Sequence, residues 1–219
     1  MSCLKGQGKP LISIKPTKKN INEVIDLSIT VLEKGGIIAC PTETFYGLGA
    51  KFDKPDSLKR LYKIKKRPKD KAMPVIIGSE GLLQKIVLRE WLEHIPESVK
   101  SLMEKFWPGP LTILLPASEK ISDYLTAGTG RVAVRVPGES FALQLAARAG
   151  FPLTATSANP SGMPPAETPE AVVRYFGDKI DLLIEGGRTP GGLPSTIVDV
   201  AGRKIRVVRE GAVKRNRLL

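Results

Sequence analysis

Short β-branched runs alternate along this chain with amphipathic stretches, and glycine or proline punctuates many of the junctions between them. That alternation limits the fold more than any single residue does. Apolar strands need covering on their faces, and the amphipathic stretches between them are the covers, which is the α/β arrangement. Residues 37–40, 75–77, 111–115, 132–136, 153–156, 182–185, 196–200 and 205–208 read as strands. Residues 20–34 carry Ile21, Val24, Ile25, Leu27, Ile29, Val31 and Leu32, the broad stripe of a buried helix, closed by Gly35-Gly36. Asp56 is placed to cap a helix running to about Lys66 and stopped by Pro68. Residues 96–106 read as a helix stopped at Pro108, residues 141–149 as one closed by Gly150, and Thr168-Pro169-Glu170 opens another. No repeat, low-complexity tract or linker divides the chain, so one domain is expected.

The 219 residues are 42% hydrophobic and 26% charged, enough to bury a core without staples. The formal net charge of +12 favours polyanions such as RNA, nucleotides or anionic lipid, although a solvated basic face accounts for it equally well. Cys3 and Cys40 form no CxxC pair, so neither a zinc set nor a disulfide framework is expected. Two free thiols fit a reducing, cytoplasmic compartment. No apolar run approaches the ~20 residues that span a bilayer. Residues 1–10 lack the apolar core of a secretory signal.

Phosphate-binding motifs of the GxxxxGK[ST] and GxGxxG kinds are absent, as is HExxH. The single histidine, His94, sits in a Trp-Leu-Glu-His-Ile-Pro context that does not favour catalysis, so Ser-His-Asp and Cys-His chemistry is not expected. Four polar clusters remain. Pro41-Thr42-Glu43-Thr44-Phe45-Tyr46-Gly47-Leu48-Gly49 follows a strand, where ligands bind in α/β folds, and also reads as a plain turn with a capping threonine. Lys59, Arg60, Lys63, Lys65, Lys66, Arg67, Lys69 and Lys71 form a cation-dense stretch. In it Lys65 and Arg67 straddle a helix end and suit phosphoryl oxygens, while the rest reads as a solvated face. Ser157 and Asn159, two positions apart after a strand, can offer neutral hydrogen bonds to one side, or form an ordinary Asn-Pro-Ser-Gly turn. The glycine-rich run from Gly186 to Asp199 offers amides and hydroxyls that could receive phosphate.

Taken in order, PTETFYGLGA, Lys65-x-Arg67, WPGPLTILL, RVAVRVP, SANPSG and PSTIVD resemble the YrdC-like family of threonylcarbamoyl-AMP synthases, in its short single-domain form. The resemblance spans about residues 20–212 of a domain taken as 1–219, with short tails at both ends. It implies an open, twisted mixed sheet flanked by helices, with a large basic concave face. It implies a nucleotidyltransferase that makes threonylcarbamoyl-AMP and pyrophosphate from L-threonine, bicarbonate or CO2, and ATP. Other proteins then transfer the group to adenosine 37 of tRNA. Carried over, Lys65, Arg67, Ser157 and Asn159 form the catalytic constellation. Thr42 and Arg135 contact threonine, and Lys65, Arg67, Asn159 and Ser195 contact ATP. Mg²⁺ is expected with ATP on charge grounds, with no metal site from a protein motif and no tightly bound organic cofactor.

Two departures from the family pattern stand out. Many relatives carry a histidine where Lys71-Ala72-Met73-Pro74-Val75 offers Pro74, and His94 lies too far along to replace it. Longer relatives carry a second C-terminal domain, which the basic Lys214-Arg215-Asn216-Arg217 tail cannot replace. The rival reading is an RNA-binding paralogue without synthase activity. That rival explains the charge but not the uncharged Ser157 and Asn159 pair. The carbamoyl-adenylate chemistry of hydrogenase maturation belongs to larger proteins with zinc-finger and acylphosphatase parts, which this sequence lacks.

Overall fold

The apolar runs pair into two mixed sheets in this structure, a computed structural model that describes residues 10–200 and 205–218. Cys3 lies outside the described residues. The first half of the chain supplies β1 (Ile12–Ile14), α1 (Ile21–Glu33), β2 (Ile38–Pro41), β3 (Tyr46–Gly49), α2 (Pro55–Lys65) and β4 (Val75–Ile76). Next come α3 (Arg89–Leu92), α4 (Glu97–Phe106), β5 (Leu111–Pro116), α5 (Asp123–Thr126) and β6 (Arg131–Arg135). The remainder is α6 (Phe141–Ala149), β7 (Leu153–Thr154), β8 (Thr156–Ser157), α7 (Pro169–Phe176), β9 (Leu182–Ile184), β10 (Thr196–Asp199) and β11 (Arg206–Arg209). One sheet runs β1-β9-β2-β3-β8 and the other β11-β10-β5-β6-β4-β7.

The division between the sheets falls inside a run that reads as one strand. Leu153 and Thr154 pair with β4, whereas Thr156 and Ser157 pair with β3, so the chain changes sheets at Ala155. Every amide in the crossing has a partner. The Thr154 amide donates to the Ala50 carbonyl at 2.8 Å, the Thr154 hydroxyl accepts from the Ala50 amide at 2.9 Å, and the Ala155 amide donates to the Pro74 carbonyl at 2.9 Å. The change of sheet therefore orphans neither the Thr154 nor the Ala155 amide.

Side-chain alternation accounts for a strand hidden in the PTETFYGLG cluster. Tyr46 and Leu48 are fully buried on one face of β3, while Gly47 and Gly49 keep the other face flush. A Cβ at Gly49 would already lie 3.3 Å from Ile38. The two glycines disguise the strand as a loop. β1 is likewise a strand that the residue pattern does not announce; it pairs in parallel with β9 at the sheet edge.

Helix α2 opens two residues earlier than a cap at Asp56 implies. Lys54 is the cap and Pro55 takes the first helical position, where its missing N–H costs nothing; Asp56 instead faces the positive helix end from the first turn. The helix stops at Lys66, whose φ of 50° is left-handed, before Pro68 is reached. At the other end of the chain, residues 213–218 are no free tail. Arg215–Arg217 form a 3-10 turn, and Val213 and Leu218 are buried in the main core.

The main core joins Val75, Ile113, Leu115 and Val134 of the second sheet to Leu58, Leu61, Leu102 and Phe106. A second cluster packs Val24, Leu32 and Leu145 over Ile38, Leu182 and Ile184. Each fully buried aliphatic side chain contributes about 1.5–3 kcal/mol. Helix α6 approaches the end of β4 so closely that a Cβ at Gly78 would sit 2.3 Å from the Ala147 backbone. Gly78→Ala is therefore expected to destabilise by about 1–3 kcal/mol, read as a lower urea midpoint. An unchanged midpoint would contradict this backbone-to-backbone contact.

Candidate active site

Beside the Ala155 crossing opens a cleft of about 310 Å³, walled by both sheets. The turn after β2 supplies Thr42, Thr44 and Phe45; the end of α2 supplies Arg67; β5 and β6 supply Thr112, Leu114, Ala133 and Arg135. Ala155, Thr156 and Ser157 line it at the crossing, and Ser195, Ile197, Val208 and Arg209 close the far side. Of the site residues expected from sequence, Thr42, Arg67, Arg135, Ser157 and Ser195 line this cleft, whereas Lys65 and Asn159 are not among its lining residues.

Lys65 points inward. It is 2% exposed, and its ammonium donates to the Ser157 carbonyl and, at 2.7 Å, to that of Asn159. The Ser161 amide donates back to the Lys65 carbonyl at 2.8 Å. The lysine thus braces the loop after the crossing, rather than aiming at a triphosphate as its place beside Arg67 implies. Burial, and then the charge of Arg67, push its pKa down to about 7. Asn159 is also committed within the loop. Its Oδ1 accepts from the Ser157 hydroxyl at 2.6 Å, and its Nδ2 donates to the carbonyls of Pro160 (3.2 Å) and Met163 (2.5 Å). It orients Ser157, which does line the cleft.

Three guanidiniums share the cleft. Arg67 is fixed by donation from Nε to the Lys71 carbonyl (2.8 Å) and from a terminal nitrogen to that of Ala72 (2.6 Å). Burial lowers its pKa against an opposing effect of Tyr62. Arg135 is buried and donates to Glu43 Oε1 at 2.8 Å; burial lowers its pKa and Glu43 raises it. Arg209 was not among the residues expected from sequence. It sits at the exposed rim and donates to the Ser195 carbonyl at 2.7 Å and more weakly to the Ser195 hydroxyl at 3.4 Å. Partial burial of its guanidinium, then the charges of Arg135 and Arg67, lower its pKa. So concentrated a positive field suits an anion with several oxygens.

The hydroxyls are partly engaged. Thr42 Oγ1 donates to the Phe45 carbonyl at 2.7 Å and accepts from the amides of Thr44 (3.2 Å) and Phe45 (3.3 Å), so it closes its own turn. Ser195 and Thr112 share a hydroxyl bond of 2.9 Å. Three amides of the glycine-rich loop are already engaged. The amides of Gly186, Thr189 and Gly191 already donate to Tyr46 Oη, the Glu167 carbonyl and the Thr44 carbonyl. Pro74 lines the cleft but offers no N–H there. His94 is exposed, does not line the cleft, and stands 3.2 Å from the Glu90 carbonyl. Among the described residues no group of three or more His, Cys, Asp or Glu could hold a metal ion, and no helix is long and apolar enough to cross a membrane.

Residues 30–211 match the Sua5/YciO/YrdC family model, whose description reads "Telomere recombination". A threonylcarbamoyl-AMP synthase of Pyrococcus abyssi is 36% identical over 189 residues, covering 86% of this chain and 54% of the relative. The chain therefore spans about half that relative's length. A threonylcarbamoyl-AMP synthase of Vibrio parahaemolyticus is 35% identical over 184 residues, covering 84% of this chain and 96% of the relative. The crystal structure of P. abyssi Sua5 complexed with L-threonine superposes with a TM-score of 0.85 at 33% identity, covering 95% of this chain and 59% of that one.

Two predictions follow from the braces. Below about pH 7 Lys65 is charged in both folded and unfolded chains and adds no pH slope. Between about 7 and the ordinary 10.5, the unfolded chain holds a proton that the folded chain has released. Stability therefore rises with pH there, by up to about 1.4 kcal/mol per unit. Relative to Lys65→Met, which does not titrate, the wild type should gain stability between pH 7 and 9.5 in urea unfolding; a constant difference would contradict the buried ammonium. Thr42→Val keeps the β-branch and the backbone bond from the residue 42 amide to the Phe45 carbonyl, but removes the side-chain bonds across the turn. It should lower stability by about 1 kcal/mol or more, measured by the same unfolding curves, and an unaltered curve would show that the turn does not need the hydroxyl.

Proposed function

The chain belongs to the Sua5/YciO/YrdC family, and from that premise we propose that it is a threonylcarbamoyl-AMP synthase. The observation that carries this reading is a cleft in which Arg67, Arg135 and Arg209 stand among neutral hydroxyls, Ser157 and Ser195 included. Such a lining matches a reaction that must bind a polyphosphate and a carboxylate together, and the similarity to synthases of two organisms supports the same choice.

In this reading the neutral amine of L-threonine adds to CO2, forming an N–C bond and releasing a proton to a substrate or phosphate oxygen. The carbamate oxygen then attacks the α-phosphorus of ATP; the bond from that phosphorus to the bridging oxygen breaks, and pyrophosphate leaves. Arg67 and Arg209 spread the phosphate charge, and Ser157, whose hydroxyl proton is given to Asn159, offers its lone pairs to the carbamate N–H. Arg135 receives the threonine carboxylate next to the Thr42 turn, and Ser195 lies along the nucleotide. Lys65 contributes by holding the Ser157 loop. Mg²⁺ would arrive on the phosphates of ATP and neutralise part of their charge; the described residues offer no carboxylate cluster to keep it otherwise. The product would pass to proteins that transfer the threonylcarbamoyl group to tRNA, which fits a cytoplasmic enzyme.

Pyrophosphate release from ATP should require both L-threonine and bicarbonate. Release at full rate without threonine would refute the proposal, and an RNA-binding paralogue would release none under any combination. Arg67→Ala should lower kcat/KM by about 10- to 150-fold through the loss of a charge-assisted phosphate contact worth about 1.5–3 kcal/mol. Arg67→Lys should also be impaired, because an ammonium cannot reproduce the fork that bonds Lys71 and Ala72 while facing the cleft. Unchanged kinetics in both variants would remove Arg67 from the site.

A further inference from the structure

Glu43 stands in the Thr42 turn, whose other members Thr42, Thr44 and Phe45 line the cleft, yet it is not itself a lining residue. Its side chain meets Arg135 instead, with Oε1 2.8 Å from the guanidinium and both side chains largely buried, at 18% and 10% exposure. Its other oxygen, Oε2, is buried and accepts no hydrogen bond. Leaving such an oxygen unsatisfied is costly, so hydrogen bonding alone does not account for the placement of this carboxylate. Gly138 makes room for it: a Cβ there would lie 3.1 Å from Glu43 Cγ and 3.4 Å from Cδ. Glu43 is thus held between the Gly138 backbone and the Arg135 guanidinium.

The other two guanidiniums of the cleft are held differently. Arg67 and Arg209 donate to carbonyls and a hydroxyl, and neither forms an ion pair among the described residues. Their charge is available to a ligand. The charge of Arg135 is offset by Glu43, and its only hydrogen bond among the described residues is the one to Glu43, which leaves N–H groups of the fork unspent. A compensated guanidinium suits a monoanion, whereas uncompensated ones favour a polyanion.

We infer that Glu43 is a positioning residue that fixes and neutralises Arg135, so that this end of the cleft receives the carboxylate of the amino-acid substrate rather than a phosphate of the nucleotide. This rests on the reading that L-threonine occupies the cleft. Glu43 acts through Arg135 and touches no reacting atom.

Calorimetric titration of L-threonine, and separately of ATP, into the wild type, Glu43→Gln, Arg135→Gln and the double variant tests the inference. Glu43→Gln should weaken threonine binding by about tenfold while ATP binding holds or tightens. The double variant should lose no more threonine affinity than Arg135→Gln alone, because residues acting in series do not add. Gly138→Ala leaves both charges intact but pushes on Glu43, and should weaken threonine in the same direction; it carries the test if circular dichroism shows that Glu43→Gln does not fold. Unchanged threonine affinity in Glu43→Gln, additive losses in the double variant, or an equal loss of ATP affinity would overturn the inference. Absence of L-threonine binding by the wild type would overturn the substrate reading as well, an outcome distinct from a variant that behaves like the wild type.

Discussion

The ammonium of Lys65, buried against the carbonyls of Ser157 and Asn159, ties the end of α2 to the segment on which the two sheets meet. An ion so placed is costly to bury, and among the described residues two carbonyl dipoles compensate it. Its depressed pKa records that cost. The benefit is geometric. Lys65 closes the buried face of α2, and the left-handed turn at Lys66 then brings Arg67 to the cleft, so one helix end both braces the Ser157 loop and arms the wall beside it. Without that tie, the loop carrying Ser157 and Asn159 would keep the backbone bond from the Ser161 amide to the Lys65 carbonyl but lose both bonds to the ammonium.

The cleft is electrostatically asymmetric. Arg67 and Arg209 are steered by carbonyls, which orient a guanidinium without cancelling its charge, while Arg135 is paired with a carboxylate. Two kinds of anion can therefore be distinguished in a small space by charge compensation instead of by shape alone. The hydroxyls of Ser157 and Ser195 add directionality at no cost in charge. Part of the glycine-rich loop is spent on architecture: Tyr46, Glu167 and Thr44 take up the amides of Gly186, Thr189 and Gly191, while Ser195 faces the cleft.

Much of the fold was legible because helices and central strands announce themselves by period and punctuation. α1, α4, α6 and α7 end or begin where Gly35, Trp107-Pro108, Gly150 and Thr168-Pro169 stand. β3 was not legible, since alternating glycines imitate a loop, and the break at Ala155 was not, since nothing in Leu-Thr-Ala-Thr-Ser distinguishes one strand from two. The motif residues Thr42, Arg67, Arg135, Ser157 and Ser195 do meet around one cleft. Arg209 lies one residue beyond the strand read at 205–208, and the observed strand runs to it. The inward turn of Lys65 did leave a signal: Leu58, Leu61, Tyr62 and Lys65 fall at the spacing of one helix face, and the first three are core residues. A lysine on an apolar stripe is a buried lysine until shown otherwise. Read from the sequence, that stripe continues to Ile64, whereas the buried face continues to Lys65.

The central claim is that this cleft joins three substrates into one adenylate, and the product itself is its most direct measure. The chain should be incubated with ATP, L-threonine and ¹³C-bicarbonate, and the adenylate identified by mass spectrometry. The account predicts an AMP adduct that contains threonine, carries the ¹³C label, and disappears when either L-threonine or bicarbonate is withheld. An unlabelled threonine–AMP adduct, or AMP alone formed at the same rate without threonine, would contradict it.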